Sequence, residues 1–238
     1  MPDSEILSSR PEPLWYLQRS PLFDGLSAQE MDDLIAAGRL VGVSKGDEIY
    51  AEGDPGQTVY FVKLGGVKII TTNADGKDIT LAYLGELELF GETALADRSP
   101  RQQRAVATEE SCLIAFEVEF IEQLMARQPA LGLSITKFVG LRLKKIQTRL
   151  QSLMFRSPLQ RVAGLLLELA DDFGEKDAAS GDIELKIRIT HSEIASLIGV
   201  TRESVTYALG QLELDELVRV VKRRIYLLKP DSLTELAR

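Results

Sequence analysis

One stretch, Ile189 to Leu212 (ITHSEIASLIGVTRESVTYALGQL), restricts the possible folds more than any other. It holds two short helical patterns, Thr190 to Ile198 and Arg202 to Leu212, that meet at a turn around Gly199 and Val200. Thr190 followed three residues later by Glu193 has capping-box spacing, in which a hydroxyl and a carboxylate satisfy first-turn amides that a helix leaves unpaired. Thr201 offers the second helix a hydroxyl cap of the same kind. Turning Ile194, Ala195, Ile198, Val200, Val205, Leu209 and Leu212 inward puts small Ala195 where the helices cross and Gly199 where the chain bends sharply. This is helix-turn-helix patterning. It leaves Arg202, Glu203, Thr206 and Tyr207 outward at the start of the second helix. Arginine can donate twice to guanine O6 and N7, and glutamate can accept from cytosine N4, so the exposed tip carries two base-reading side chains. The competing reading makes Arg202 and Glu203 a solvated pair on an ordinary helical hairpin, and it leaves the basic residues nearby unexplained.

Those basic residues matter because the net charge is −8, which by itself argues against a nucleic-acid partner. Residues 158–238 are acidic on balance, with 11 Lys+Arg against 14 Asp+Glu. Their distribution is uneven. Arg188, His191, Arg202 and the run Lys222-Arg223-Arg224 gather around the two helices, while acid concentrates in DDFGEKDAASGD, Asp171 to Asp182. The expectation is a basic face on an acidic body. No apolar run approaches the roughly 18 residues of a membrane span, and the acidic N-terminus has no signal-peptide pattern. The chain is therefore expected to be soluble and cytoplasmic, with no membrane partner. The single cysteine, Cys112, lies in the strand-like run SCLIAF and reads as a buried thiol. One cysteine and one histidine cannot build a multi-thiolate or multi-histidine metal site, and they offer no nucleophile and base pair. Neither a metal centre nor an enzyme is expected.

Taken in order, residues 1–20 read as an N-terminal arm, with Trp15, Tyr16 and Leu17 as a docking point. Ser27 with Glu30 has capping-box spacing for a short helix carrying Met31, Leu34 and Ile35. From Val41 to Phe116 the apolar period becomes two. Runs VYFVKL, GVKIITT, DITLAYL, RAVA and CLIAF alternate with turn signals at Gly46-Asp47, Gly53-Asp54-Pro55-Gly56, Gly65-Gly66 and Asn73-Ala74-Asp75-Gly76, which predicts an antiparallel barrel or roll over residues 21–128. Within it, Phe90 to Asp97 reads as a helical turn followed by a polar stretch. A helix N-terminus with Glu92 and Arg101 can hold a sugar hydroxyl and a phosphate; the alternative is an Arg-Glu pair bracing a loop. Next, Val139, Leu143, Ile146, Leu150 and Leu153 recur at intervals of 4, 3, 4 and 3, a heptad seam flanked by Lys144, Lys145 and Arg149. This predicts a parallel dimer helix over residues 129–156. Ser157-Pro158 marks a hinge and a new helix start. Residues 157–238 then form a last domain: helix Leu159 to Phe173, strand Ile183 to Ile189, the helix-turn-helix, and a hairpin of Leu217 to Val221 and Arg224 to Leu228 with a cationic wing tip.

Roll, seam helix and winged helix-turn-helix in this order resemble the bacterial cyclic-AMP receptor protein and FNR superfamily of transcription regulators. The resemblance spans about residues 20 to 230 and is carried by GDPGQTVYFVKLGGVKI (Gly53 to Ile69), FGETALADRSPR (Phe90 to Arg101) and ITHSEIASLIGVTRESV (Ile189 to Val205). It implies an α+β fold and a homodimer that presents two recognition helices to half-sites of pseudo-palindromic double-stranded DNA, about 34 Å apart. It implies base reading by Arg202 and Glu203, with Thr201 and Thr206 on the same helix and Tyr207 where a third reader, usually arginine, falls. His191 and Ser192 fall at phosphate-contact positions, and Lys222, Arg223 and Arg224 would add wing contacts. In the roll it implies an effector site of Gly91, Glu92 and Arg101, with Gln102 and Ile146 where cyclic-AMP binders carry a hydroxyl residue and a threonine. Cyclic AMP, another nucleotide or no ligand at all are the effector readings, and haem and iron-sulfur modes lack their ligating residues. RNA polymerase is an implied partner and activation the implied mode. The rival from another class is a nucleotide-binding signalling adaptor working through protein contacts.

Overall fold

The computed structural model describes residue 17, residues 20–72, 76, 78–177, 180–222 and 224–237. The chain divides into two compact units, Met1–Arg142 and Leu143–Arg238. Trp15 and Tyr16 of the expected docking point lie outside the described residues; Leu17 is fully buried in the core.

The first unit opens with a 3-10 turn, Pro21–Phe23, and helix α1, Ala28–Ala37, whose Ser27 and Glu30 close the capping box foreseen in the sequence. Strands β1 (Arg39–Val43), β2 (Glu48–Tyr50), β3 (Thr58–Leu64), β4 (Val67–Thr72), β5 (Asp78–Leu84) and β6 (Leu89–Phe90) follow. Helix α2 (Ala94–Asp97), strands β7 (Arg104–Ala107) and β8 (Ser111–Glu117) and helix α3 (Val118–Arg127) complete the roll. Two antiparallel four-stranded sheets result, ordered β1-β8-β3-β6 and β2-β7-β4-β5. Alternation along β3 explains the layering. Val59 and Phe61 join a core with Met31, Leu34, Ile121 and Leu124 beneath the helices, whereas Val62 meets Val67, Leu84 and Leu113 in a second core. β8 reads as unbroken apolar sequence because it serves both cores: Leu113 faces one and Ile114 and Phe116 the other. Cys112 is buried there, and burial pushes its thiol up. The expected turn over Phe90 to Asp97 is in part strand, since Phe90 pairs with Tyr60.

Helix α4, Pro129–Phe155, runs from one unit into the other, so the expected 129–156 segment is divided between them. Leu131 and Ile135 are buried in the first unit. The seam residues Val139, Leu143, Ile146, Leu150 and Leu153 are all exposed on the single chain.

In the second unit the end of α4 lies against helix α5, Pro158–Phe173, which begins at a Ser157 and Gln160 capping box. Lys145 Nζ donates to both Asp172 oxygens at 2.7 and 2.6 Å, and Arg149 makes a two-point pair with Glu168 at 3.2 and 2.7 Å. Residues four apart on each helix thus meet in antiparallel register. Arg161 adds a strut, donating to the Leu153, Arg156 and Ile198 carbonyls at 2.7, 2.9 and 3.4 Å.

Strands β9 (Gly174–Lys176) and β10 (Ile183–Leu185), helices α6 (His191–Ile198) and α7 (Arg202–Leu214), strands β11 (Val218–Val221) and β12 (Arg224–Leu227) and helix α8 (Pro230–Leu236) complete the unit. Its sheet is ordered β11-β12-β10-β9. β10 stops at Leu185, short of the expected Ile189, and β9 pairs with it at an edge whose residues are all exposed.

Gly199 ends α6 in the left-handed region, φ +63°, and a Cβ there would stand 2.8 Å from Leu153 Cδ2. The backbone demands glycine, while the Leu153 methyl, at the end of a flexible side chain, can yield. Gly199→Ala is therefore expected to destabilise the second unit by about 1–2 kcal/mol, read from the shift of its urea midpoint.

Candidate functional site

The reading surface is assembled from caps inward. Thr190 accepts from the Glu193 amide at 3.2 Å while Glu193 Oε2 accepts from the Thr190 amide at 2.9 Å, closing the capping box of α6. Thr201 accepts from the Ser204 amide at 3.2 Å and caps α7. Ile194, Ala195, Ile198, Val205, Leu209 and Leu212 are buried as the pattern required, and Val200 is half-buried. The exposed face of α7 then carries Arg202, Glu203, Thr206 and Tyr207, the last 77% exposed. Among the described residues, no hydrogen bond or ion pair engages the side chains of Arg202 or Glu203. Thr206 is committed locally: its hydroxyl donates to the Arg202 carbonyl at 3.0 Å and lies 2.9 Å from His191 Nδ1. Ser192 is exposed beside His191.

The wing differs from the expected cationic tip. Lys222 occupies the turn with φ +49° and is exposed. Arg223 lies outside the described residues. Arg224 is held back along the sheet, donating to Glu184 of β10 at 2.7 Å. Glu184 sits between cations: its hydrogen bond from Lys186, and a weaker effect of Arg224, hold its carboxyl below the usual range. Arg224 thus ties the wing to the sheet, because β12 places it two residues from Tyr226, the register partner of Glu184.

In the first unit, Gly91 turns with φ +74°, and a Cβ would lie 3.0 Å from Arg101 Nη1 and 3.1 Å from the Thr58 carbonyl oxygen. Arg101 is 6% exposed. Its Nη1 donates to the Gly91 carbonyl at 3.0 Å, its Nη2 donates to the Thr58 carbonyl, and its Cζ lies 4.4 Å over the Tyr50 ring. Burial pushes the Tyr50 phenol up to about 12, so the ring meets the cation in its neutral form. Arg101 Nε is buried with no partner among the described residues. Arg101 and Glu92 do not pair, so the bracing alternative is not what the fold uses. Glu92 instead accepts from Arg142 Nη1 at 2.9 Å, while Arg142 Nη2 donates to the Leu89 carbonyl at 2.8 Å. Arg142 went unseen in the sequence because it sits next to the seam, where apolar spacing draws attention to Leu143. Gln102 is exposed. Ile146 is a residue of the second unit and is 46% exposed.

Two family models match the chain: the cyclic nucleotide-binding domain over residues 40–128 and the Crp-like helix-turn-helix domain over residues 160–236. The cyclic AMP receptor protein of Thermus thermophilus is 32% identical over 93% of this chain and 98% of its own length. The chain belongs to the CRP family of transcription regulators. The global nitrogen regulator of Synechocystis is also 32% identical, over 79% of this chain and 83% of its own. The structure of FixK2 from Bradyrhizobium japonicum shares the fold with a TM-score of 0.74 at 21% identity, covering 84% of this chain and 98% of that one. The α+β reading of roll, long helix and winged helix-turn-helix therefore holds, and membership of this family places the chain among regulators and not enzymes. Among the described residues, no helix is long and apolar enough to cross a membrane.

Proposed function

We propose that this CRP-family chain acts as a homodimer that reads a pseudo-palindromic duplex through Arg202 and Glu203, under control of a nucleotide bound in the roll. The observation that carries it is the pair of exposed, uncommitted side chains at the capped start of α7. Their donors and acceptors are free to meet base edges, and the positive end of the helix adds to the attraction for DNA. Exposure of all five seam residues supports the dimer, because a heptad stripe left in water by one chain is buried by a second. His191, Ser192 and Lys222 supply phosphate contacts, and Arg223 falls in the same wing. Activation through RNA polymerase in the cytoplasm completes the reading.

Within the roll, Glu92 takes the effector's sugar hydroxyl, with Arg101 and Arg142 on its phosphate. The effector thereby exchanges the Glu92 and Arg142 pair for two contacts of its own. Arg142 belongs to α4, so this exchange is felt on the seam helix.

Selection of bound sequences from a randomised duplex pool, with and without cyclic AMP, tests both parts. The expected result is an inverted repeat whose half-sites lie about one helical turn apart. Titration calorimetry should give heat with cyclic AMP that disappears in Glu92→Gln. Cyclic-nucleotide heat that survives this change would overturn the pocket assignment, and a pool that never enriches would overturn DNA reading.

A further inference from the structure

His191, the single histidine of the chain, opens α6 with its Nδ1 2.9 Å from the Thr206 hydroxyl. That hydroxyl also lies 3.0 Å from the Arg202 carbonyl, one turn earlier on α7. A carbonyl only accepts, and a hydroxyl has one proton to give. Thr206 therefore spends its proton on Arg202, and its oxygen accepts from His191 Nδ1–H. This fixes the ring tautomer. With hydrogen on Nδ1, the neutral imidazole carries only a lone pair at Nε2, the nitrogen pointing away from Thr206. A phosphate oxygen is also an acceptor, so the neutral ring has nothing to offer it. The imidazolium, which donates from both nitrogens, keeps the bond to Thr206 and gains one to phosphate.

We propose that His191 meets the DNA backbone only as the imidazolium, so that binding by this chain takes up a proton at each half-site and tightens as pH falls. This rests on the DNA-reading function proposed above. The charged groups around the ring come from α5, α6, α7 and the segment before α6. On α6, Glu193 is committed to the Thr190 amide and hydroxyl at 2.9 and 2.8 Å. α7 contributes Arg202, Glu203 and Tyr207, and Arg188 precedes α6. On α5, Arg161 reaches the Ile198 carbonyl at the far end of α6, Glu168 and Asp172 are paired with Arg149 and Lys145, and Asp171 is exposed. The phosphate is the charge that arrives with the duplex. It is therefore what draws the proton.

The test is calorimetry of the full chain with the pool-selected duplex, between pH 5.5 and 8, in pairs of buffers with different ionisation heats. Net proton uptake, bounded at one per protomer, is expected, with affinity rising as pH falls by no more than about tenfold per pH unit for each half-site. His191→Arg supplies a fixed donor and should bind tightly, with no uptake and a flat pH profile. Thr206→Val removes the hydroxyl that sets the tautomer; the neutral ring can then present Nε2–H, and uptake should fall although the histidine remains. Tight binding with no uptake by the unaltered chain, or uptake that persists in His191→Arg, would overturn the inference and leave DNA reading intact. Failure to bind any duplex at any pH would overturn both.

Discussion

Arg202→Ala is expected to weaken binding to the selected duplex by about 1–3 kcal/mol per half-site, and so by about 2–6 kcal/mol for a dimer that uses two. In a gel-shift or anisotropy titration the larger figure moves a midpoint of about 1 nM to tens of micromolar. The loss comes from unmet partners on the base edges. Arg202 is exposed and, among the described residues, no partner takes its donors, so truncation costs the fold little and the loss falls on the complex. Glu203→Ala should cost less in affinity and more in selectivity, because a carboxylate near phosphates repels the backbone while it accepts from one base. Its signature is relaxed preference at a single position of each half-site, with affinity for unrelated duplexes unchanged or raised. Loss spread evenly over all sequences would reassign both residues to backbone contact.

Arg101→Ala should show the second large effect, and show it first as instability. The side chain is 6% exposed, and its removal takes a donor from the Thr58 carbonyl and the cation from Tyr50, while the Gly91 carbonyl keeps the Ala94 amide at 3.2 Å. A buried carbonyl that loses its donor costs about 1–3 kcal/mol, offset in part because a cation no longer has to be buried. A net loss of about 1–3 kcal/mol is expected, read as an earlier urea transition followed by circular dichroism. The order of events has a practical meaning. An Arg101→Ala protein that fails to respond to nucleotide is ambiguous, whereas Glu92→Gln removes a carboxylate charge at similar volume and keeps an oxygen to accept from Arg142. An Arg101→Ala chain as stable as the unaltered one would mean that the guanidinium is held only loosely.

What was legible in the sequence and what was not divides by distance along the chain. The helix-turn-helix was readable because every signal in it is local: a threonine and a glutamate three apart, a glycine whose φ of +63° other residues resist, and apolar residues at helical spacing. The long strands were readable for the same reason. β6, with two residues, and β9, with an all-exposed Gly-Glu-Lys edge, carry no alternation to detect and exist because a neighbour pairs with them. The pocket was half legible. Gly91, Glu92 and Arg101 stand close in sequence, but the groups that occupy them do not: Arg142 is 50 residues from Glu92, and Thr58 is 43 from Arg101. The partner of Arg224 was hidden for a similar reason, since Glu184, which accepts from it, lies 40 residues away.

The three ties that hold the end of α4 to α5 bear on how twist would be delivered. Leu143, Ile146, Leu150 and Leu153, through which two protomers would grip each other, belong to the same compact unit as Arg202, the arginine proposed to read bases. A lever whose handle and blade are one piece has no slack. Rotation of one copy's seam against its twin would therefore reach the duplex undiminished, as a change in the span and pitch between the two blades.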